Sequence, residues 1–247
     1  MDHKYFEVLD GADDSVNYFS SVILKLKNVI SLDGAVILDV GCGTGKFVAP
    51  LLKICSPSII GLDGPTKVAN RAIERGYMDV KVVNDLSNVE FPFDDSSFDC
   101  VICKDVMEHL YDPLFTLAEI NRVMRVNGIF LFHVPNHFPM AGRLRFLFKN
   151  DLDTFSFFQN ESRWRFPHIR FFEYFDIINV LKNNGFKIVE DISYLFPLVP
   201  IFGRFKLFNP FAIHLIQRYP NQFSGAFTLL ARKVSKFEEK QSGVKEL

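Results

Sequence analysis

The sequence predicts one α/β domain, built on a doubly wound and mostly parallel sheet of seven strands with two inserted segments. Short apolar runs alternate with helical segments of about ten to thirteen residues, the rhythm of βαβ units. One of these runs leads directly into a glycine-rich turn at 41–45. At 247 residues and 48% hydrophobic, the chain can bury a proper core, and its composition excludes intrinsic disorder.

The elements follow in chain order, beginning with an amphipathic helix predicted at 15–30. The predicted strands are 35–40, 58–62, 80–83, 98–103, 128–134, 186–192 and 223–231. The predicted helices between them are 46–55, 65–75, 113–125 and 173–183. Two stretches, 137–170 and 194–222, have no clear period and are predicted as insertions. We therefore expect a single domain over 1–231 and a solvated tail over 232–247.

Charge and cysteine content limit the functional classes. A formal net charge of −1 argues against a DNA-binding protein, which carries a basic surplus. The acidic start lacks a secretion signal, and the apolar run at 192–203 is too short to span a bilayer. Cys100 and Cys103 lie on opposite faces of a predicted strand, so they cannot pair as a redox couple. We expect a soluble, cytoplasmic protein with no transmembrane segment.

The glycine turn favours a particular kind of ligand. A dinucleotide site needs G-x-G-x-x-G, but here Lys46 takes the last position and Gly45 comes one residue earlier. Asp39, two residues before the first glycine, suits a cationic ligand better than a pyrophosphate. Asp63 and Asp85 end the next two strands, where carboxylates can accept hydrogen bonds from a ribose and an adenine amino group. These acids predict a nucleoside-shaped site with a positive end.

Five ordered segments resemble class I S-adenosylmethionine-dependent methyltransferases. They are LDVGCGTG (38–45), IIGLD (59–63), VVNDL (82–86), FDCVICKDVMEHLYDP (98–113) and RVMRVNGIFLFHVPN (122–136). The match covers about 35–135, and the last predicted helix and two strands fit the family's ending. The resemblance implies a Rossmann-like fold and S-adenosylmethionine as cofactor. The alternatives from the residues alone are a dinucleotide enzyme and an inactive α/β domain.

The resemblance also implies roles for individual residues. The implied cofactor-binding set is Asp39, Gly41, Cys42, Gly43, Asp63, Gly64, Asp85, Leu86 and Lys104. Within it, the first acid and the glycines face the methionine end, Asp63 the ribose, and Asp85 with Leu86 the adenine. Lys104 departs from the small or apolar residue usual beside the sulfonium. We expect its ammonium to point away or to meet an anionic acceptor, because like charges repel.

Two histidines are the candidate catalytic residues. The resemblance is strongest to the branch of ubiquinone-biosynthesis O-methyltransferases and bacterial sugar or cell-envelope methyltransferases. That branch shares the Glu-His pair at 108–109 and an H-x-R-F-F-like segment, here at 168–172. His109 and His168 are therefore candidate bases for a hydroxyl acceptor. His133 is predicted to be a core histidine, and His137 lies in a loop.

A divalent cation is an alternative role for the same region. Small-RNA 2′-O-methyltransferases hold a cation with a similar E-x-x-E-H and a later histidine. The corresponding positions here are Asp105, Glu108, His109 and His168. Mixed carboxylate and imidazole ligands suit such an ion. The competing interpretation is that Glu108 and His109 brace a helix start, and the sequence prediction includes no metal.

The insertions are predicted to form a lid that selects the acceptor. Residues 137–170 carry six Arg or Lys against three acids, interleaved with aromatic residues. Arg143, Arg145 and Arg170 are the candidates for binding an anionic acceptor, such as a nucleotide-linked sugar of capsule or cell-envelope biosynthesis. A solvated lid face explains the charges equally well. An RNA or quinone acceptor and a non-catalytic cofactor-binding protein are the functional alternatives.

Phenylalanine is concentrated in the same half of the chain. Of 28 in total, 7 lie in 1–129 and 20 in 130–230. We therefore expect a phenylalanine-poor cofactor half and a phenylalanine-rich acceptor half. The segment 194–217 is left open as a lid, a dimer surface or a membrane contact, and a homodimer is compatible with the sequence.

Overall fold

One seven-stranded sheet organises the protein. The computed structural model describes residues 14–64, 66–149, 168–195 and 210–236. The strands are β1 (Val36–Val40), β2 (Ser58–Asp63), β3 (Asp79–Val82), β4 (Phe98–Lys104), β5 (Met124–Pro135), β6 (Phe186–Asp191) and β7 (Ala226–Lys233). Their order is β3-β2-β1-β4-β5-β7-β6. β1 to β5 run parallel, and β7 is antiparallel to both of its neighbours, which confirms the predicted fold class.

Helices cover both faces of the sheet. They are α1 (Asp14–Val29), α2 (Thr66–Glu74), α3 (Pro113–Val123), α4 (Met140–Lys149), α5 (Tyr174–Asn183), α6 (Pro210–Arg218) and α7 (Pro220–Phe223). Buried residues of α1 and α2 form one core cluster with the sheet, and those of α3 and α5 form the other. Cys100 belongs to the first cluster and Cys103 to the second. The two thiols lie on opposite faces, as predicted.

Several predicted boundaries were wrong. Residues 46–55 hold only a 3₁₀ turn at Ala49–Lys53. In a helix starting at Lys46, Pro50 would lack the backbone N–H that donates to the Lys46 carbonyl. The stretches predicted as irregular contain α4, α6 and α7. The last strand reaches Lys233, whose buried ammonium donates to the carbonyls of Asn121 and Met124. The predicted tail therefore starts too early, while most of the second insertion (196–209) and residues 150–167 and 237–247 lie outside the described residues.

The topology places a crevice at the carboxyl edge of the parallel strands. β1 pairs with β2 on one side and with β4 on the other, so the chain crosses over between these neighbours. Ligands of open α/β sheets bind at this switch point. Within 14–64, 66–149, 168–195 and 210–236, no helix has the length and hydrophobicity that crossing a bilayer requires.

Candidate functional site

A cavity of about 670 Å³ opens at this switch point, between the loops that follow β1, β2, β3 and β4. Its wall contains eight of the nine residues predicted to bind the cofactor: Gly41, Cys42, Gly43, Asp63, Gly64, Asp85, Leu86 and Lys104. The ninth, Asp39, is not on the wall. Lys46, Phe47, His109 and Tyr111 also line the cavity, and only His109 among these four was singled out from the sequence.

The glycine turn has a conformation that side chains would prevent. Gly41 has a φ of +68°, and a Cβ built there would lie 2.3 Å from Cγ2 of Val106. Gly43 and Gly45 also have positive φ values, of +51° and +76°. L-residues with side chains rarely adopt this region. The turn therefore keeps bare backbone on the cavity wall and close contact with the loop after β4.

Asp63 ties two loops together at the centre of the cavity. Its Oδ2 accepts a hydrogen bond from the Gly43 amide at 2.7 Å, and its Oδ1 accepts one from the Gly64 amide at 2.6 Å. Burial raises the pKa of the carboxyl, and these two hydrogen bonds oppose that rise. Each oxygen has a further lone pair, so Asp63 can also accept from a ligand in the cavity.

Asp39 lies behind the glycine turn. The phenol of Tyr77 donates a 2.5 Å hydrogen bond to its Oδ2. Burial raises the pKa of Asp39 to about 7, and the charge of Asp63 adds to the rise, whereas the Tyr77 hydrogen bond and the charge of Lys104 lower it. Asp39 is only 5% exposed. Asp39 can therefore act on a cationic ligand only through its electrostatic field, from behind the glycine turn.

The loop after β3 forms the other end of the cavity. The Asp85 carboxylate accepts a hydrogen bond from the Ser87 amide at 2.8 Å, which closes a tight turn. The Thr116 hydroxyl of α3 donates to the Leu86 carbonyl at 2.7 Å. This anchors the turn to a buried helix position, because Thr116 has no exposed surface.

Lys104 and Asp105 form an ion pair at the end of β4. The Lys104 ammonium contacts the Asp105 carboxylate and lies 4.1 Å from the centroid of the Phe47 ring. Asp105 has a φ of +53° and also lies 3.3 Å from Nε2 of His133. Although burial alone would raise it, Lys104 and His133 hold the pKa of Asp105 well below its usual range. The positive charge of Lys104 is thus balanced within the protein.

His133 is a core residue, as predicted. Its side chain is 4% exposed on β5, and its Nδ1 lies 2.7 Å from the Thr228 hydroxyl on β7. Both ring nitrogens therefore have protein partners, Thr228 and Asp105. Burial lowers its pKa, and the Asp105 carboxylate opposes that shift.

A cluster of histidines lies beside the cavity. His109, on the short 3₁₀ turn Met107–His109, has its ring centroid 4.7 Å from that of His168. Nε2 of His137 lies 2.6 Å from Nδ1 of His168. Burial and the neighbouring histidines lower the pKa values of His137 and His168 to about 4, so both rings are neutral at pH 7. The structure thus unites the two predicted catalytic histidines and adds His137, which the sequence placed only in a loop.

Of the predicted substrate-binding arginines, Arg143 and Arg170 are not among the described residues that line the cavity. Arg170 donates from Nε to the Leu110 carbonyl at 3.3 Å, and its guanidinium also contacts the Tyr111 carbonyl. Arg143 donates to the Phe138 carbonyl at 2.8 Å. Arg145 lies on α4, and its side chain is outside the described part of the chain. In this structure Arg143 and Arg170 bind backbone carbonyls, and Arg170 braces the loop that follows His109.

Comparison with known proteins identifies the domain that builds the cavity. Residues 38–132 match the methyltransferase domain family Methyltransf_11. This part of the chain is a class I S-adenosylmethionine-dependent methyltransferase domain. The resemblance drawn from the five sequence segments is confirmed, and the matched residues contain the strands and loops that build the cavity.

Named relatives and a solved structure agree with this methyltransferase domain. The chain is 30% identical over 117 residues to a ubiquinone biosynthesis O-methyltransferase of Pasteurella multocida, covering 42% of this chain and 48% of that protein. It is 31% identical over 106 residues to a tRNA U34 carboxymethyltransferase of Nautilia profundicola, covering 42% and 35%. A SAM-dependent methyltransferase from Aquifex aeolicus has the same fold, with a TM-score of 0.58, 17% identity and coverage of 95% and 100%.

The similarity covers only part of each curated relative. The chain spans less than two thirds of the length of the curated relatives it matches. The names of these two relatives point to different acceptors. One refers to ubiquinone biosynthesis and the other to U34 of a tRNA. The shared domain therefore does not specify the acceptor.

The family and the relatives imply S-adenosylmethionine as the cofactor, and the cavity fits it. The glycine turn forms one part of the wall with its backbone, and a Cβ at Gly41 would clash with Val106. A carboxylate held by two amides stands at the middle, and an Asp-Leu turn lies at the other end. A volume of about 670 Å³ lies within the range of small-molecule sites. Gly41, Gly43, Asp63, Asp85 and Leu86 would hold the cofactor.

Proposed function

We propose that the protein is an S-adenosylmethionine-dependent O-methyltransferase acting on a small acceptor. The observation that carries the proposal is the position of His109, which lines the cofactor cavity and packs edge-on against His168. A methyl acceptor must approach the cofactor from this side. An imidazole there can contact an acceptor hydroxyl and assist the loss of its proton.

The chain positions the reactants, since the cofactor, when bound, supplies a methyl group already activated on a sulfonium. The glycine turn and Asp63 fix one reactant, and the loop of His109 borders the other. Arg170 holds that loop through two carbonyls, and the Ile169 and Arg170 amides donate to the Glu108 carbonyl. Fixed geometry of this kind accounts for much of the rate in a displacement reaction.

We further propose an anionic acceptor of the nucleotide-sugar or phosphorylated-sugar class, as used in polysaccharide biosynthesis. The support is the basic and aromatic composition of 137–170, which follows the strand nearest the histidines. Arg143 lies exposed on α4 at this side of the sheet. If the acceptor is an RNA or a quinone instead, turnover should appear with short RNAs or quinols and not with sugars.

Binding and turnover are tested separately. Calorimetric titration with S-adenosylmethionine should show one site per chain, weakened in Asp63→Ala. Release of S-adenosylhomocysteine is then measured with nucleotide sugars, phosphorylated sugars, quinols and short RNAs. Cofactor binding without turnover on any of them, and without a methylated product in a cell extract, would make the protein a non-catalytic binder. No binding in the parent would overturn the proposal.

His109→Ala tests the residue that carries the proposal. We expect turnover to fall by about 100-fold or more, the usual contribution of a general base, with cofactor affinity changed little. His214→Ala, at an exposed position on α6, is the matched control. Equal turnover in His109→Ala and the parent would remove His109 from the site.

A further inference from the structure

The acceptor end of the site contains a set of metal-ligand groups. Glu108, His109 and His168 can each offer one ligand atom, and these atoms lie within 4.8 Å of one another. The first two come from the turn after β4, and the third precedes α5. Two imidazoles and one carboxylate form a ligand set that divalent transition ions accept with open positions left.

The buried carboxylate points to a missing partner. Glu108 is 1% exposed, and among the residues that the structure describes its Oε2 has no hydrogen-bond partner. Buried carboxylate oxygens are nearly always hydrogen-bonded or bound to a cation, because burying one alone is costly. The Glu108 carbonyl accepts from the Ile169 and Arg170 amides, which ties the turn of Glu108 to the segment of His168.

His137 gives the cluster a supporting contact. Nε2 of His137 lies 2.6 Å from Nδ1 of His168. This contact holds the His168 ring and leaves Nε2 of His168 as the nitrogen that can bind an ion. Imidazoles that bind metals usually have the other ring nitrogen hydrogen-bonded in this way, which fixes the tautomer and the ring plane. His137 follows β5 and is 31 residues from His168 in the chain, so this contact depends on the fold.

Asp105 does not belong to the set in this structure. Its two oxygens face the ammonium of Lys104 and Nε2 of His133. This differs from the sequence prediction, which grouped Asp105 with the other three. The carboxylate is already balanced by a cation and an imidazole, whereas Glu108 Oε2 has no such partner.

We propose that Glu108, His109 and His168 bind one divalent transition ion of the Zn²⁺, Mn²⁺ or Co²⁺ type. Three ligand atoms about 2.0–2.2 Å from a shared ion lie roughly 3.3–3.8 Å from one another. The candidate ligand atoms lie within 4.8 Å of one another, so side-chain shifts of about 1 Å bring them to one ion. His137 is a positioning residue for His168. Because His109 lines the cofactor cavity, the open positions of the ion face the acceptor side.

The ion gives the proposed acceptor a binding group. Its open positions would take an oxygen of the acceptor, either a hydroxyl alone or a hydroxyl with a neighbouring phosphate or carboxylate oxygen. With His109 and His168 as ligands rather than bases, the ion would lower the pKa of the bound hydroxyl, and the released proton would pass to solvent water. This step rests on the proposed function, whereas the ion site itself does not.

Metal binding is measured without cofactor or acceptor. Full-length protein is stripped with a chelator and titrated separately with Zn²⁺, Mn²⁺ and Co²⁺ by calorimetry, and the visible absorption of bound Co²⁺ is recorded. We expect one ion per chain. Glu108→Gln and His168→Asn should each lower the affinity by at least tenfold, His137→Phe by less, and His214→Asn should match the parent. Melting temperature and S-adenosylmethionine affinity establish that each variant is folded.

The outcomes separate the two proposals. No saturable binding, or equal binding in the parent, Glu108→Gln and His168→Asn, overturns the ion site and supports a bracing role for Glu108. Cofactor binding with no ion site leaves the methyltransferase proposal intact. Ion binding without cofactor binding would overturn the proposed function and keep the ion site.

Discussion

The cofactor side and the acceptor side of the cavity are built in different ways. The cofactor side uses backbone: the glycine turn and amides held by Asp63, each directly after a strand. The acceptor side uses side chains from three distant segments, with His109, His137 and His168 in contact. A short motif can encode the first arrangement, whereas the second exists only after folding. Recognition of the shared cofactor is therefore local, and recognition of the acceptor is tertiary.

Phenylalanine follows the same division. The buried Phe91 and Phe98 complete the core of the cofactor half, whereas large aromatic surfaces are exposed on the acceptor half. Phe138, Phe148 and Phe171 are 47%, 78% and 59% exposed. His137 contacts both Phe138 and Phe171. Phe130, Phe186 and Phe227 of the same half are buried in the core, so only part of the phenylalanine surplus lies beside the histidines, where it could contact an acceptor.

The largest effect should come from filling the backbone wall. In Gly41→Ala the new Cβ would lie 2.3 Å from Cγ2 of Val106, and the alanine would have to keep a positive φ. The clash and the strained backbone together cost about 2 kcal/mol or more. We expect calorimetry to detect no cofactor binding and the melting temperature to fall by several degrees. Gly34→Ala is the control for backbone strain, because Gly34 also has a positive φ (+74°), lies off the cavity wall, and a Cβ there would meet no described atom within 4 Å. Normal binding by Gly41→Ala would contradict a backbone-built wall.

Next in size is Asp63→Asn. An amide has one accepting oxygen and no charge, so one of the Gly43 and Gly64 amides loses its acceptor and the other keeps only a neutral one. Hydrogen bonds to charged groups contribute about 1.5–3 kcal/mol, which predicts roughly a 10- to 150-fold weaker cofactor affinity. Asp79→Asn, an exposed acid at the start of β3, should bind as the parent does. Similar affinities in both variants would separate Asp63 from the cofactor.

Asp39→Asn should change stability and cofactor affinity in opposite directions. The folded-state pKa of Asp39 is raised to about 7 from 3.8, so the folded protein retains a proton that the unfolded chain loses. The parent therefore loses stability as pH rises from about 4 to about 7 and no further above it. Asparagine can still accept from Tyr77 and does not ionise. The other groups around this carboxyl are Cys42, Asp63 and Lys104.

Thermal melts across pH measure this difference. The melting temperature of Asp39→Asn should exceed that of the parent by a margin that widens between pH 4 and 7 and then stays level. Cofactor affinity at pH 8 should fall by about 3- to 10-fold, since a negative charge behind the turn attracts a cationic ligand. A margin that does not change with pH would mean that Asp39 has an ordinary pKa.

The sequence could place the proposed cofactor residues at one edge of the sheet for a physical reason. Gly41, Asp63 and Asp85 lie at strand ends, and the carboxyl ends of parallel strands converge at one edge. Their chain positions thus fix their spatial positions. Asp39 was an exception, because a strand residue just before the turn points into the core and hydrogen-bonds Tyr77, a contact that no spacing encodes.

The acceptor side was predicted only in part. His109 and His168 were identified because their motifs are local, but His137 depends on where β5 ends relative to α5. Helix α4 was missed although Leu144, Leu147 and Phe148 recur at helical spacing. These side chains are exposed, so this apolar face is not part of the core. Residues 150–167 of this region lie outside the described part of the chain.

The smallest effect distinguishes two roles for Arg170. The sequence assigned it to an anionic acceptor, whereas in the structure it donates to the Leu110 and Tyr111 carbonyls beside His109. If it braces this loop, Arg170→Gln should cost about 0.5–1.5 kcal/mol in turnover, roughly equally for charged and uncharged acceptors, with cofactor affinity unchanged. Arg218→Gln, at an exposed position on α6 where the guanidinium lies over the Tyr219 ring, is the control. A loss in KM confined to anionic acceptors would instead give Arg170 the binding role, and acceptor recognition would then reach beyond the histidine cluster to the guanidinium itself.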